Sequence, residues 1–324
     1  MGKPVILVSA VCGDIGCSAV RALRDAAGKI VGCDMNSYSP VLNLIDQFYN
    51  APPASEEERY MSFLREVIKA EDIGFFLPVS DPEIKVLSLR RKEIEILGVK
   101  LLLNNRTIID NFLDKLKTAH FIAGIGLRTP KTALLKDYDG SFGFPLVIKP
   151  RIGHGSQRLY KAENSVDLDY ARSKDDGLLI AQECIGSESD EYTTGVFSDG
   201  KRVSSITFKR KLGFGSLTAE AILIESTFLE NISEQIAEAT HLVGSINIQS
   251  RRLNDNFFLP FEINPRLSST LPFRRRFGFD DAVWWLDVLL GKSYSYKREF
   301  KSGRAIRYVS ECYFDIERFG HENR

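Results

Sequence analysis

Histidine, methionine and tryptophan are scarce in this chain: its 324 residues include 4 His, 3 Met and 2 Trp. Five cysteines are present (Cys12, Cys17, Cys33, Cys184 and Cys312), but no two form a CxxC pair, and with so few histidines a zinc site is not expected. Their odd number reads as reduced, mostly buried thiols of a cytoplasmic protein. No apolar stretch approaches the roughly 20 residues of a membrane span. The short run from Pro4 to Val11 stops at Cys12-Gly13-Asp14, as a buried first strand does and a signal peptide does not. An excess of charge is missing too: 43 basic residues balance 43 acidic ones, so no broad positive field is available for nucleic acid. The chain has no GKS or GKT of a P-loop, no cysteine or serine elbow, no repeats and no low-complexity segment. Gly13-Asp14-Ile15-Gly16 falls short of the full GxGxxG, which argues against dinucleotide binding.

What remains is an ordinary globular composition on a chain long enough for two or three compact units. The first third alternates. Strands are expected over Pro4 to Val11, Ile30 to Asp34, Ile73 to Val79 and Lys100 to Leu103, with helices over Gly13 to Ala27, Tyr60 to Ala70 and Asp81 to Leu97. That order implies a parallel sheet with right-handed crossovers. A helix follows over Asn111 to Ala123. From Pro145 the pattern is β-rich, with a helix at Asn164 to Ser173 capped by Asn164 or Ser165. The last third gives a hairpin around Asp199-Gly200, a helix over Phe228 to Leu242, paired strands Ser245 to Leu253 and Phe257 to Asn264, and a helix from Asp280 to Leu290. The fold class is α/β, becoming α+β in the C-terminal part.

Three stretches carry chemistry. In Phe261-Glu262-Ile263-Asn264-Pro265-Arg266, strand alternation puts Glu262 and Asn264 on one face, Pro265 ends the strand and Arg266 begins a loop over the same face. Carboxylate and amide oxygens are hard ligands for Mg²⁺, and the arginine fork reads phosphoryl oxygens. The plain alternative is a charged strand end with Glu262 paired to Arg266. Ser245-Ile246-Asn247-Ile248-Gln249 lies upstream, and an even-length turn would bring Gln249 opposite Glu262 and Asn247 opposite Asn264. Four oxygen-bearing side chains on one face are not tolerated in a dry core without a ligand. The second stretch is Gly143-Phe144-Pro145-Leu146-Val147-Ile148-Lys149-Pro150, followed by Gly153, Gly155 and Ser156: a lysine at the end of an apolar strand, then a loop whose N–H groups can cover phosphates. A surface hairpin with a snorkelling lysine is the alternative. The third is Leu179 to Gly186 with the later Asp190-Glu191-Tyr192, a strand running into irregular backbone that can read an adenine edge, with a carboxylate for ribose hydroxyls.

In this order the stretches resemble the ATP-grasp superfamily, nearest to the large subunit of carbamoyl phosphate synthetase and to smaller carboxylate–amine ligases. The resemblance covers residues 114 to 266. It implies an N-terminal Rossmann-like domain over 1–110 of the type that precedes an ATP-grasp unit, a small lobe with lid and phosphate loop over 111–185, and a lobe with the metal site over 186–324. It implies ATP and Mg²⁺ (or Mn²⁺) as cofactors. Lys115 and Lys149 would hold the α- and β-phosphates, Glu183 with the backbone of Cys184 and Ile185 the adenine, and Glu191 the ribose. Gln249, Glu262 and Asn264 would bind two metal ions, Arg266 would steady the transferring phosphoryl group, and Lys209 or Lys211 would reach it. Two departures stand out: Arg151, His154 and Gln157 intrude on the glycine loop, and Gln249 replaces an acid found in many relatives.

The reaction expected is ADP-forming carbon–nitrogen ligation: a carboxylate becomes an acyl phosphate, which an amine then displaces. Bicarbonate activation and a non-catalytic nucleotide sensor are the competing readings. The partners expected are small-molecule carboxylate and amine substrates, with a homodimer as an option, but no nucleic acid and no membrane. Arg274-Arg275-Arg276 either pairs with an anionic substrate or forms a basic turn paired to Asp280 and Asp281. Ser80-Asp81-Pro82-Glu83 is either a ligand-binding strand end or a helix N-terminus with favourable acids.

Overall fold

The computed structural model describes residues 2–153, 158–213, 217–254, 257–308 and 310–313. Gly155 and Ser156 of the expected phosphate loop lie outside the described residues, as does the Asp255-Asn256 turn.

The chain opens with β1 (Val5–Ser9), α1 (Asp14–Leu23), β2 (Lys29–Asp34), β3 (Gln47–Asn50), α2 (Glu57–Glu71), β4 (Phe75–Leu77), α3 (Asp81–Glu95) and β5 (Lys100–Leu101). The strands form a parallel sheet in the order β3-β2-β1-β4-β5. Strand β1 is apolar at nearly every position because helices cover both faces. On one face Leu7 and Val31 pack with Tyr60, Leu64, Leu87 and Ile94 of α2 and α3. On the other, Ile6 and Val8 join Ala19 and Leu23 of α1. The edge strand β3 was not expected, since Gln47-Phe48-Tyr49-Asn50 is short and polar at both ends.

Next come α4 (Arg106–Phe112) and α5 (Lys115–Gly124), where one helix over Asn111 to Ala123 was expected. The break has a physical cause. Asp114 turns its carboxylate back to accept from the N–H groups of Leu116 (3.1 Å) and Lys117 (3.2 Å), starting a new helix as its N-cap. A small antiparallel sheet in the order β6-β9-β7-β8 follows, from β6 (Thr132–Leu134), β7 (Leu146–Pro150), β8 (Tyr160–Ala162) and β9 (Leu179–Glu183), with α6 (Ser165–Ser173) against it, capped by Asn164.

The large sheet is built from β10 (Glu191–Asp199), β11 (Val203–Leu212), β12 (Thr218–Ile224), β13 (Val243–Asn254), β14 (Phe257–Asn264) and β15 (Gly303–Ile306), in the order β14-β13-β10-β11-β12-β15. The helix α7 (Thr227–Thr240) lays Leu229, Ile232 and Ile236 on one face, against Val196, Ile246, Ile248 and Ile263. The opposite face is covered at one end by α8 (Leu271–Arg276) and α9 (Asp281–Leu289). Leu271, Phe273 and Trp285 of these helices belong to the same apolar cluster as Ile6 and Val8 of the first sheet and Leu23 of α1. At about 1.5–3 kcal/mol per buried large side chain, that shared core fixes the parallel sheet against the large one. The other end of the face is polar, and the candidate site is there.

Candidate nucleotide and metal site

Strand pairing sets the geometry. In the β13–β14 hairpin Asn247 stands opposite Asn264 and Gln249 opposite Glu262, the expected register. A β-bulge then intervenes, because Ser250 pairs with Pro260 and Phe261 is left as the extra residue. On β10, Glu191 pairs with Arg251 of β13 and Arg210 of β11, and Thr193 pairs with Gln249. Alternation therefore collects Glu191, Arg210, Arg251, Gln249, Glu262, Asn247 and Asn264 on one face of the sheet. Thr193 Oγ1 donates to Asn247 Oδ1 at 2.9 Å.

Arg210 is the hub of this face. Its Nε donates to Glu191 Oε1 at 2.9 Å, and its Nη2 donates both to that oxygen and, at 2.9 Å, to Gln249 Oε1. Arg251 reaches the other Glu191 oxygen at 3.4 Å and the Ile185 carbonyl at 3.4 Å. The Arg210 and Glu191 side chains are only 8% and 9% exposed. Two buried donors point into this cluster with no hydrogen-bond partner among the described residues, Arg251 Nε and Asn247 Nδ2. Unmet donors beside two arginines suit an anion.

The small sheet supplies the facing wall. Lys149, next to last on β7, is buried, with its ammonium 5.3 Å from the centre of the Phe261 ring, over which Arg251 also lies at 5.8 Å. Burial depresses the Lys149 pKa from its ordinary 10.5 to about 8; Glu262 and Glu191 oppose that shift, and Lys115 and Arg251 add to it. Lys115 begins α5 and is buried; its Nζ donates to the Gly153 carbonyl at 2.6 Å. Gly153 has φ +137°, which only glycine adopts without strain. Arg151 holds both Asp114 oxygens at 2.8 Å, tying the loop to the cap of α5. Glu183, at the end of β9, accepts from Lys131 N at 3.2 Å, and the Cys184 N–H donates to the Pro145 carbonyl at 3.2 Å.

One expectation is corrected here and two are narrowed. Lys209 and Lys211 do not face the cluster. They alternate with Arg210 on β11, so Lys209 points to the opposite face and pairs with Asp190 at 2.6 Å, while Lys211 is exposed. The basic residue that faces the cluster is Arg210. Glu191 is held by Arg210 and Arg251, so a ribose would have to share it. Among the three consecutive arginines, Arg274 is fully buried against Asp281 at 2.9 Å, Arg275 pairs with Asp280 at 3.2 Å and donates to the carbonyls of Arg21 and Ala22, and Arg276 is exposed beside the Phe300 ring. None of the three joins the cluster. Arg251 and Phe261 were missed in the sequence, and Arg210 was passed over for its neighbours Lys209 and Lys211. Phe261 needed the bulge, which no spacing reveals, whereas Arg251 follows Gln249 by two residues and was legible from alternation alone.

Arg266 leaves β14 through Pro265 and meets the parallel sheet: its Nε donates to Asp81 Oδ1 at 2.6 Å. Burial lowers its pKa, and the carboxylates of Asp81, Glu262 and Asp14 more than reverse that, leaving it above the ordinary arginine value. Ser80 N-caps α3 in a capping box with Glu83, so this stretch is the helix N-terminus of the two readings. Among the described residues no helix is long and apolar enough to cross a membrane, and no cluster of three His, Cys, Asp or Glu side chains stands ready for a metal.

The comparisons agree with this architecture. Residues 10–102 match the family described as the PylC-like N-terminal domain, and residues 179–312 the family described as ATP-grasp in the biosynthetic pathway with Ter operon. The carbamoyl phosphate synthase large chain of Campylobacter jejuni is 26% identical over 204 residues, a match covering 56% of this chain and 18% of that protein. N5-carboxyaminoimidazole synthetase from Staphylococcus aureus, solved with ADP, superposes with a TM-score of 0.77 at 14% identity, over 95% of this chain and 84% of that one. An L-amino acid ligase from Bacillus licheniformis does so with a TM-score of 0.70 at 17% identity, over 89% and 74%. The polar hairpin in the expected register and the buried lysine facing it agree with the ATP-grasp match over residues 179–312 and with the similarity to these relatives.

Proposed function

We propose that the chain binds ATP with Mg²⁺ between the small sheet and the polar end of the large one, and uses it to join a carboxylate to an amine through an acyl phosphate, releasing ADP and phosphate. The observation that carries this reading is the pairing of Gln249 with Glu262 and Asn247 with Asn264 on a face that also holds Arg210 and Arg251. Hard oxygen donors on Glu262 and Asn264 fit a divalent cation. The unmet donors of Arg251 and Asn247, with Lys149 and Lys115 opposite, fit a polyphosphate.

Bound there, the metal ion would neutralise charge on the transferring phosphoryl group. The protein's own part is positioning. Lys149 and Lys115 hold phosphate oxygens, with residues 111–185 acting as the small lobe. The Gly153 loop closes over them and keeps water from the acyl phosphate. Glu183 and the Cys184–Ile185 backbone take the adenine, and Glu191 orients the sugar edge while holding Arg210. Arg266, fixed by Asp81, faces the phosphoryl group as it leaves. No protein nucleophile is required.

The test is ADP release with ATP, Mg²⁺ and a panel of amino acids and amines, with bicarbonate as a separate arm. ADP release that requires both a carboxylate and an amine supports ligation. Release with bicarbonate alone moves the reading to carboxyphosphate formation. ATP binding without turnover in any arm leaves a nucleotide sensor.

A further inference from the structure

We infer that the Arg210 guanidinium takes the place of one of the two divalent cations, so that this chain binds ATP with a single metal ion. The inference rests on the nucleotide site proposed above. It starts from the oxygen a second ion would need. Gln249 Oε1 is the only metal-binding atom of that side chain, and it already accepts from Arg210 Nη2 at 2.9 Å. A divalent ion on that oxygen would lie within a few ångströms of the guanidinium, where two positive charges repel, so the ion would have to displace Arg210.

The guanidinium is built into its place. Glu191 accepts from its Nε and Nη2, both side chains are nearly buried, and Arg251 closes the far side of Glu191. Strand pairing puts Arg210 opposite Glu191 on neighbouring strands, one row from the Thr193–Gln249 pair. The long side chain therefore reaches Gln249 diagonally.

Charge points the same way. Around the phosphates and sugar, the cations are Lys115, Lys149, Arg210, Arg251 and Arg266 and the acids are Glu191, Glu262 and Asp81, the last paired to Arg266, which leaves a surplus of two positive charges. A nucleoside triphosphate with one divalent ion keeps about two negative charges, whereas two ions leave it about neutral. The cleft's surplus is balanced by the first and left uncompensated by the second. Glu262 is the one carboxylate of the Gln249–Glu262–Asn264 set, so a second ion depends on the Gln249 oxygen being free.

The experiment counts bound Mn²⁺ by electron paramagnetic resonance, with the chain saturated by a non-hydrolysable ATP analogue whose own binding is measured in parallel by calorimetry. The wild type is expected to hold about one Mn²⁺ per bound analogue, Arg210→Lys the same, and Arg210→Ala about two, as Gln249 is released. Arg251 remains on Glu191 in that variant, so the carboxylate is not left alone. Two ions in the wild type with normal analogue binding overturn the inference and leave the nucleotide site standing. One ion in both wild type and Arg210→Ala removes Arg210 from the explanation and overturns it as well. Failure of the analogue to bind the wild type overturns the nucleotide site, and this inference with it. Should Arg210→Ala not fold, Arg210→Gln repeats the comparison without the charge.

Discussion

Arg266 and Asp81 lie 185 positions apart in sequence and 2.6 Å apart in space, with side chains only 14% and 17% exposed. The pair links the loop after β14 to the first residue of α3. On the proposed function it is a positioning contact as well as a structural one. Asp81→Asn keeps the shape and removes the charge. We expect a loss of about 1–2 kcal/mol in urea unfolding. Turnover should fall about tenfold with little change in the nucleotide KM, since Arg266 is loosened only where it meets the transferring group. Unchanged turnover would make the pair purely structural.

Glu262 is the acid of the Gln249–Glu262–Asn264 set. Glu262→Gln should lower ATP turnover by at least about 100-fold while leaving the circular dichroism spectrum and melting behaviour near wild type, because an amide balances metal charge poorly. The paired readout is the Mn²⁺ concentration needed for half-maximal analogue binding, which should rise strongly. Wild-type turnover in this variant would reject the metal assignment.

Much of this was legible because two periodicities are unambiguous here. Alternating apolar strands and helices over the first hundred residues gave the parallel sheet, and the side-chain period of two gave the facing of Gln249 and Glu262. What escaped reading depends on contacts between distant residues. Asp114 breaks a helix as an N-cap that Arg151 also holds. Lys209 and Lys211 were favoured over Arg210, although one shift along β11 decides which of them faces the cluster and only the pairing with Glu191 fixes it. Phe261 enters the site through a bulge, an irregularity that strict alternation cannot anticipate.

Lys149 gives the site a pH signature. Its folded pKa of about 8 lies below its ordinary 10.5, so the folded state loses this proton first. Burial of the ammonium therefore costs stability below about pH 8, and that cost is relieved as pH rises from about 8 to 10.5. Phosphate binding needs the charged form, so affinity runs the other way. Affinity for ADP should hold to about pH 8 and then fall, approaching a tenfold loss per pH unit before the bound-state value is reached. Calorimetry in buffers of different ionisation enthalpy should show proton uptake on binding near pH 8–9. Lys149→Met should bind more weakly at pH 7 and lose this pH dependence. Identical pH profiles in the two proteins would assign the titration elsewhere.

The Arg274–Asp281 pair separates structure from substrate among the consecutive arginines. Both side chains are fully buried, 2.9 Å apart, and Ser245 Oγ adds a hydrogen bond to Asp281 at 2.7 Å. Gly195 lies directly under the guanidinium: a Cβ there would fall 2.1 Å from Arg274 Nη1. Removing one partner of such a pair strands a charge in an apolar core, at a cost of about 3–5 kcal/mol. We expect Arg274→Ala to shift the urea midpoint by that amount or to fail to fold, and Gly195→Ala to destabilise through overpacking by about 1–3 kcal/mol. Arg274→Met is the discriminating variant, because it fills much of the same volume while still leaving Asp281 unpaired. If burial of a lone carboxylate is the cause, its loss should be largest at neutral pH and shrink as the medium is acidified toward Asp281's own protonation, which burial raises above the ordinary aspartate value. Arg275→Ala and Arg276→Ala should keep wild-type kinetics, since these side chains turn to α1 and to Phe300 rather than to the cleft. A strongly raised Michaelis constant in either variant would return the tri-arginine segment to the substrate site.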